Sequence, residues 1–214
     1  MLNGAKVTYV NGDNIYIEDN TGSILLYKTG LQITAGKSIT GFINGQYILY
    51  SGTPELSVCD STSISSFTEE SATVTPTSMV LTDIKNAAAI SKFVTINSAK
   101  IDSINGVPYL IQNTDTVIIY DKYSVLNTSY MLPKNVQSIT AIVGFFNNVY
   151  QLYPISSDSI VEVKIPTGIS EKTTNLQNGD VYSINGLIIQ KSNQPLKNLK
   201  KGIYIMNGKK FVVK

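Results

Sequence analysis

Hydrophobic and polar residues alternate along short runs that are separated by turn residues. Period-two alternation bounded by Gly, Asn and Asp is typical of half-buried β-strands. Asn-Gly pairs at residues 11–12 and 44–45 each predict a hairpin turn between two runs. The pattern predicts a five-strand meander folded as a small barrel or sandwich. The predicted strands are residues 7–10, 15–18, 23–27, 37–43 and 46–50, with an extended piece over 55–67.

The same pattern occurs a second time along the chain. Residues 5–7 match 99–101, and residues 25–27 match 118–120. Because only loops need gain or lose residues between copies, a drifting offset is expected of a duplication. The sequence therefore predicts two copies of one domain and a distinct tail. Further matches pair 11–12 with 105–106, 38–40 with 138–140 and 55–56 with 151–152, and the predicted domains are residues 1–78, 79–164 and 165–214.

The junction between the copies has its own composition. Residues 61–78 contain 11 Ser or Thr among 18 residues, and we expect the part from 68 to 77 to be a linker or an extra strand. The alanine-rich residues 83–90 predict a short helix capped by Thr82 or Asp83. A strand over 93–100 follows, and the first copy begins inside the equivalent strand, as a trimmed domain or a chain that lacks upstream residues.

The tail reads as two hairpins. Asn-Gly pairs at 185–186 and 207–208 lie between runs of β-forming residues. An isolated hairpin is marginally stable in water, so we expect a sheet with one apolar face that packs on another surface. We expect an ordered subdomain that docks on the domain of residues 79–164 through Ile184, Leu187, Ile203, Ile205 or Phe211.

Two segments resemble known modules. Residues 7–19, together with 52–57, resemble the small OB-fold domains of exported Bacteroidota proteins and of some extracellular bacterial nucleases. That resemblance implies two tandem five-stranded OB-like barrels with an accessory or binding role. Residues 180–186 and 201–214 resemble the terminal β module of secreted Bacteroidota proteins, which is related to type IX secretion sorting domains. It implies a secreted, periplasmic or cell-surface protein, and a tail that is a sorting signal or a structural subdomain.

Composition excludes much of the common enzyme chemistry. The chain has no His and one Cys, and all 17 of its basic residues are Lys. These absences exclude Ser-His-Asp and Cys-His catalysis, His-ligated metals and an intrachain disulfide. Glu55 is replaced by Gln151 in the second copy, which favours a structural role for it. We expect no catalytic residues, no metal site and no cofactor.

Charge separates the binding hypotheses. Residues 1–78 hold three Lys and seven acids, a net charge of −4, and residues 79–164 hold six of each, a net charge of 0. Residues 165–214 hold eight Lys and two acids, a net charge of +6. Because nucleic-acid affinity draws heavily on neutralised phosphates, we do not expect the barrels to bind single strands.

Tyrosine is abundant, with 13 residues and no Trp. Tyr is a preferred strand residue, so ordinary half-buried positions are one interpretation. A stacking platform for a sugar or base is the other, and Tyr9 and Tyr16 near the first turn are expected to be its exposed pair. The candidate ligand-binding residues are Tyr9, Tyr16, Tyr27, Tyr109 and Tyr120.

These observations predict a non-enzymatic, exported binding or interaction protein whose partner is an unidentified protein or glycan. A single-strand nucleic-acid binder and a surface glycan binder remain the alternatives. The chain has no run of about 18 apolar residues that would span a membrane, and residues 1–6 do not resemble a signal peptide.

Overall fold

A computed structural model describes residues 1–57, 65–126, 131–163, 179–192 and 199–213. The chain divides into two compact units, Met1–Val163 and Lys164–Lys214. The described residues form three β-sheets and only short helical segments, so the all-β prediction is confirmed.

The first sheet has seven strands, and we call it the first barrel because its strand pairing repeats that of the closed second barrel described below. Its strands follow the order β5-β6-β3-β2-β1-β4-β7. β3 runs parallel to β6, which excludes the predicted meander, because a meander pairs only consecutive antiparallel strands. Its strands are β1 (Leu2–Asn11), β2 (Asn14–Glu18), β3 (Ser23–Tyr27), β4 (Lys37–Phe42), β5 (Gln46–Tyr50), β6 (Thr53–Ser57) and β7 (Ser66–Ser71).

The second sheet forms the second barrel, and this barrel is closed. One long strand, β12, pairs with β13 on one side and with β9 on the other, which closes the ring β9-β10-β11-β13-β12. This five-stranded order with a parallel β11–β13 pair is that of an OB-like barrel. Its strands are β8 (Thr77–Met79), β9 (Phe93–Ile104), β10 (Val107–Gln112), β11 (Asp115–Ile119), β12 (Asn135–Phe146), β13 (Val149–Pro154) and β14 (Ile160–Glu162).

The two barrels repeat one topology. Leu25 pairs with Glu55 in the first barrel, as Ile118 pairs with Gln151 in the second. The predicted turn at residues 44–45 is wrong, because β5 does not pair back on β4 but continues its course and pairs with β6. β4 and β5 together are therefore the counterpart of the single strand β12.

Two of the sequence matches are shifted in register. Asn11 pairs with Asn14, so the first turn holds Gly12 and Asp13, whereas the second holds Asn105 and Gly106. An irregularity between Val7 and Tyr9 inserts one residue into β1 and explains the shift. Ile39 lies opposite Ala5, whereas Ile139 lies opposite Ile96, so these isoleucines are not equivalent either.

Each barrel has its own apolar core, because alternate strand residues point inward. The inward residues of the first barrel come mainly from β1, β2, β3 and β4. The core of the second barrel is larger and includes the helical segment that precedes β9. The buried first-barrel cluster is Ala5, Val7, Ile15, Ile17, Leu26, Ile33 and Ile39.

The junction is more irregular than predicted. A helix α1 (Leu81–Ile84) and a 3₁₀ turn, Ala87–Ala89, replace the single helix expected over 83–90. Val80 is the N-cap of α1 without a side-chain hydrogen bond, so Thr82 and Asp83 do not cap it. Asn86 caps the 3₁₀ turn by accepting from the amide of Ala88. Of the expected linker, residues 68–71 belong to β7 and Thr77 begins β8. Residues 58–64 of the extended piece predicted over 55–67 lie outside the described part.

The second unit contains a four-stranded sheet of order β16-β15-β17-β18. The predicted hairpin turn at Asn207 and Gly208 is confirmed. The buried cluster of this sheet is Val181, Tyr204 and Met206, and Phe211 packs against it. Of the other residues named in the prediction, Ile184, Leu187 and Ile203 are 62%, 67% and 41% exposed. The strands are β15 (Val181–Ser183), β16 (Ile188–Gln190), β17 (Gly202–Met206) and β18 (Lys209–Val213).

Candidate functional site

The two barrels pack against each other through the outer face of β2 and β3. Ile15 and Ile17 point into the first core, so the intervening Tyr16 points outward. Tyr16 and Leu25 on this face are each 2% exposed, because they lie in one cluster with side chains of the second barrel. The second-barrel members of that buried cluster are Phe93, Ile142 and Tyr153.

Tyrosines form the centre of this interface. The rings of Tyr9 and Tyr123 lie 5.3 Å apart, and the hydroxyls of Tyr16 and Tyr123 are 2.5 Å apart. Burial raises the pKa of Tyr16 and of Tyr123, and it raises the pKa of Tyr153 to about 12. Neutral phenols are therefore strongly favoured here, so the cluster is an ordinary structural contact at physiological pH.

Polar contacts fix the register between the barrels. The Ser23 hydroxyl donates to the carbonyl of Ile90 at 2.7 Å, and the amide of Asn147 donates to the carbonyl of Ser51 at 3.0 Å. The Thr53 hydroxyl donates to a carbonyl of the second barrel, that of Phe145. Directional hydrogen bonds of this kind hold the two domains in one orientation.

A cleft of about 340 Å³ remains open beside these contacts, and we call it the interbarrel cleft. Its volume falls at the small end of the roughly 300–1,000 Å³ that is usual for ligand pockets. Residues of both barrels line it. The aromatic ones are Tyr50, Tyr120, Phe145, Phe146 and Tyr153, and the others are Leu25, Thr53, Glu55, Lys122 and Gln151.

Glu55 is the most unusual residue of the interbarrel cleft. It lies on β6, is 4% exposed, and makes no hydrogen bond or ion pair with any described residue. Burial raises the pKa of its carboxyl group, while the positive charge of Lys122 acts in the opposite direction. Charged groups are seldom buried without a partner, because desolvation is costly.

Lys122 supplies the opposite charge at the same cleft. Its Nζ lies 5.0 Å from the ring centroid of Tyr153 and 5.6 Å from that of Tyr123, in cation–π contact. It donates a hydrogen bond to the Tyr16 hydroxyl at 3.4 Å. Burial lowers the pKa of this ammonium group, and Glu55 partly opposes the shift. The two charges influence each other but are not in ion-pair contact.

The duplication places equivalent residues at the interbarrel cleft. Glu55 and Gln151 occupy the same position of the two repeats, each paired in parallel with the third strand of its barrel. Tyr50 and Phe146 end equivalent strands, and their rings lie 6.2 Å apart across the boundary. The cleft thus combines one carboxylate with one amide rather than two like charges.

The predicted tyrosines do not form one platform. Tyr16 is buried between the barrels, so the prediction that it would be exposed is wrong. Tyr9 is half-buried in the same interface, where its hydroxyl donates to the carbonyl of Ile155. Tyr27 is half-buried beside Lys28, and Tyr109 is half-buried on β10. Tyr120, 52% exposed, is the one of the five that lines the interbarrel cleft.

Several cleft residues carried no binding signal in the sequence. Tyr50 and Phe146 read as ordinary strand residues, and Lys122 as one lysine among many. The replacement of Glu55 by Gln151 was visible, and it indicated a structural role because amides keep shape and lose acid-base chemistry. Burial without a partner is a property of the assembled barrels, so sequence alone offers no sign of it.

A larger depression of about 460 Å³ lies along β1 and β2 of the first barrel. Its lining is mainly polar, with residues such as Lys6, Thr8 and Asp19, and none of the described residues that line it is aromatic. Asp19 there accepts three hydrogen bonds within its own turn, two from Thr21 and one from Gly22, which lower the pKa of its carboxyl group. The Asp19 carboxylate is thus satisfied locally, and the depression has no aromatic wall, so it is the weaker ligand site.

Comparison with known proteins adds no assignment. No protein-family model matches the chain, and no curated protein matches it significantly. The described residues contain no group of three or more side chains able to hold a metal ion. None of the described helices is long and apolar enough to cross a membrane.

Proposed function

We propose that this chain is a non-enzymatic binding protein and that the interbarrel cleft is its ligand site. The observation that carries the proposal is that Glu55, a side chain only 4% exposed, lines a cleft with five aromatic residues and makes no hydrogen bond or ion pair within the described residues. A buried charge costs stability unless something pairs with it. Natural sequences break such rules mainly at functional sites, so a ligand is the partner that this charge supports.

A binding role fits the cleft better than catalysis. Acid-base and nucleophilic catalysis need side chains in hydrogen-bond contact that pass protons to one another. Glu55 makes no such contact in the described part of the chain, and the hydrogen bond of Lys122 goes to a tyrosine hydroxyl whose pKa is raised. Aromatic walls with a few convergent polar groups are instead the usual make-up of ligand pockets.

Single-strand nucleic-acid binding is the less favoured function. The strand 2–3 face is the surface that OB-folds use for oligonucleotides, and in the first barrel the second barrel covers it at Tyr16 and Leu25. The net charge of −4 over residues 1–78 also repels a polyanion. A neutral glycan is the second candidate, supported by the aromatic wall and by the Gln151 amide.

Location outside the cytoplasm is part of the proposal. Its support is the resemblance of residues 7–19 and 52–57, and of residues 180–186 and 201–214, to modules of exported Bacteroidota proteins. We propose that the protein is secreted, periplasmic or on the cell surface, and that the tail is a sorting signal or a structural subdomain. Fractionation of cells that express the native protein is the test, and recovery in the cytoplasm alone would refute export.

A ligand screen with cleft variants tests the site. The full chain is screened by thermal shift against saccharides, nucleosides, amino acids and single-stranded oligonucleotides. For any compound that binds, we expect Tyr120→Ala and Phe146→Ala to reduce affinity at least tenfold. Tyr47→Ala is the matched control, since Tyr47 is 60% exposed and lies outside the cleft.

Two results would reject the proposal. Unchanged affinity in both cleft variants would place the site elsewhere on the protein. Oligonucleotide binding that weakens steeply with salt and is insensitive to the cleft variants would establish the nucleic-acid alternative.

A further inference from the structure

We propose that the interbarrel cleft takes a zwitterionic ligand, a free α-amino acid with an apolar side chain. In this arrangement Glu55 pairs with the ammonium group of the ligand and Lys122 pairs with its carboxylate. Tyr50, Tyr120 and Phe146 then surround its side chain. This inference rests on the proposed function of the cleft and names the ligand class.

The two charges of the cleft lack counter-ions. Glu55 makes no hydrogen bond or ion pair with a described residue, and the contacts of Lys122 are with phenol hydroxyls and rings, so the two charges act on each other only at longer range. An ammonium group would neutralise the first and a carboxylate the second. Charge-assisted hydrogen bonds of this kind are shorter and about twice as strong as neutral ones, so a ligand gains most by supplying both charges.

Net charge excludes simpler ions. The charged side chains that line the interbarrel cleft are one carboxylate and one ammonium, which sum to zero. A ligand that is only a cation would pair with Glu55 but be repelled by Lys122. A ligand that is only an anion would pair with Lys122 but be repelled by Glu55. A molecule that is neutral overall but carries separated charges avoids both penalties.

The rest of the cleft favours an apolar side chain over a sugar. Five aromatic residues and Leu25 line a space of about 340 Å³, which suits one small molecule. Sugar hydroxyls would contact the rings and form hydrogen bonds, but they would leave both charges without a counter-ion in direct contact. An apolar side chain fills the aromatic part while the α-carbon substituents reach the charges.

Calorimetry of the full chain with L-phenylalanine as probe tests the inference. N-acetyl-L-phenylalanine removes the ammonium charge and L-phenylalaninamide removes the carboxylate. We expect each analogue to bind the wild-type protein at least tenfold more weakly than L-phenylalanine. We expect Glu55→Gln to weaken L-phenylalanine at least tenfold and not to weaken N-acetyl-L-phenylalanine, an anion that loses a repulsion in this variant.

Lys122→Gln gives the reciprocal test: it should weaken L-phenylalanine at least tenfold and should not weaken L-phenylalaninamide, a cation that loses a repulsion in this variant. Gln matches the size of Glu55 and already occupies the equivalent position 151, so the first variant is expected to fold. Equal binding of L-phenylalanine and N-acetyl-L-phenylalanine to the wild-type chain, or L-phenylalanine binding unaffected by Glu55→Gln, would overturn the inference.

The failure of this inference is distinguishable from failure of the proposed function. A saccharide that binds in a Tyr120-dependent way but is insensitive to Glu55→Gln overturns the zwitterion and leaves the cleft as the site. Binding that ignores Tyr120, Phe146, Glu55 and Lys122 alike overturns both.

Discussion

The two barrels share a topology, but the same face has different surroundings in each. On the first barrel, Tyr16 is 2% exposed because the second barrel covers it. Its equivalent on the second barrel, Tyr109, is half-buried and belongs to none of the buried clusters. Equivalent positions in a duplication therefore need not have equivalent roles, because a domain's outer face acquires its environment from whatever packs on it.

Only the first barrel uses this face in the contact, and the reason is chemical. The surface that receives Tyr16 includes Ile142 and Tyr153 of the second barrel. Strand pairing makes Gln46 and Ser57 their counterparts in the first barrel. Because these polar residues replace the apolar ones, the first barrel does not present the same receiving surface.

The barrels also differ in closure. The second is closed by one strand that bridges two neighbours, whereas the first has β4 and β5 separated by residues 43–45. The interruption leaves β5 at the edge of its sheet, next to the interbarrel cleft. Glu55, the carboxylate of the interbarrel cleft, belongs to this interrupted first barrel.

The largest expected effect comes from truncating the covered tyrosine. Tyr16→Ala should lower the free energy of unfolding by about 3 kcal/mol, since it leaves a cavity between the barrels. The matched change Tyr109→Ala should cost less than about 1 kcal/mol, because that ring is half-exposed. Urea denaturation of both variants measures these changes. Equal losses of unfolding free energy would contradict an interface in which only the first-barrel tyrosine is covered.

A glycine substitution tests the boundary between the barrels. A Cβ on Gly52 would lie 2.5 Å from the ring of Phe145, whereas one on Gly12 would meet nothing within 4 Å. Both residues have positive φ, of 91° and 53°, so backbone strain is common to the two. Gly52→Ala should therefore destabilise the protein by about 2 kcal/mol more than Gly12→Ala in thermal unfolding. Identical thermal midpoints for the two variants would show that the turn between β5 and β6 shifts away from Phe145 without cost.

Exchanging the carboxylate for its repeat equivalent should stabilise the protein. Burial raises the folded-state pKa of Glu55, so its ionised form is penalised at neutral pH. Glu55→Gln should raise the free energy of unfolding by about 1 kcal/mol. Because the folded-state pKa is raised, the contribution of Glu55 to stability is fully present below its unfolded-state pKa of about 4.3. This contribution is lost as pH rises through the folded-state pKa.

The advantage of Glu55→Gln should consequently shrink in acid. Denaturation at neutral and at acidic pH measures this dependence, with Gln151→Glu as the reciprocal change that should destabilise the protein. A variant less stable than wild type at neutral pH would show that the carboxylate is already paired.

The smallest effect concerns alkaline stability. Burial raises the pKa of Tyr153 to about 12, above the value of about 10 for an unfolded chain. Its contribution to stability is present below pH 10 and is lost as pH rises from about 10 to 12, since the unfolded state loses the proton first. Tyr153→Phe should make the decline in stability with pH less steep over that range. An unchanged slope would show that the Tyr153 hydroxyl is solvated in the folded protein.

Much of the fold followed from local pattern. Alternation of apolar residues and Asn-Gly pairs predicted most strands, the first hairpin of each barrel and the terminal hairpin at Asn207 and Gly208, because these depend on backbone preferences within a few residues. The duplication followed from the order of matching residues. The break between β4 and β5 was mistaken for a turn because Asn44 and Gly45 carry the same local signal as a hairpin.

The candidate site was decided by tertiary structure. Alternation determines that Tyr16 points out of its barrel, and it says nothing about whether another barrel covers that side. Glu55 and Lys122 are 67 positions apart and line one cleft only because the two barrels pack against each other. The sequence by itself determined the strands, the repeat and the inward faces, since these are properties of short segments. Burial of an outward tyrosine and of an unpaired carboxylate depends on how two finished surfaces fit, and that was settled only by packing.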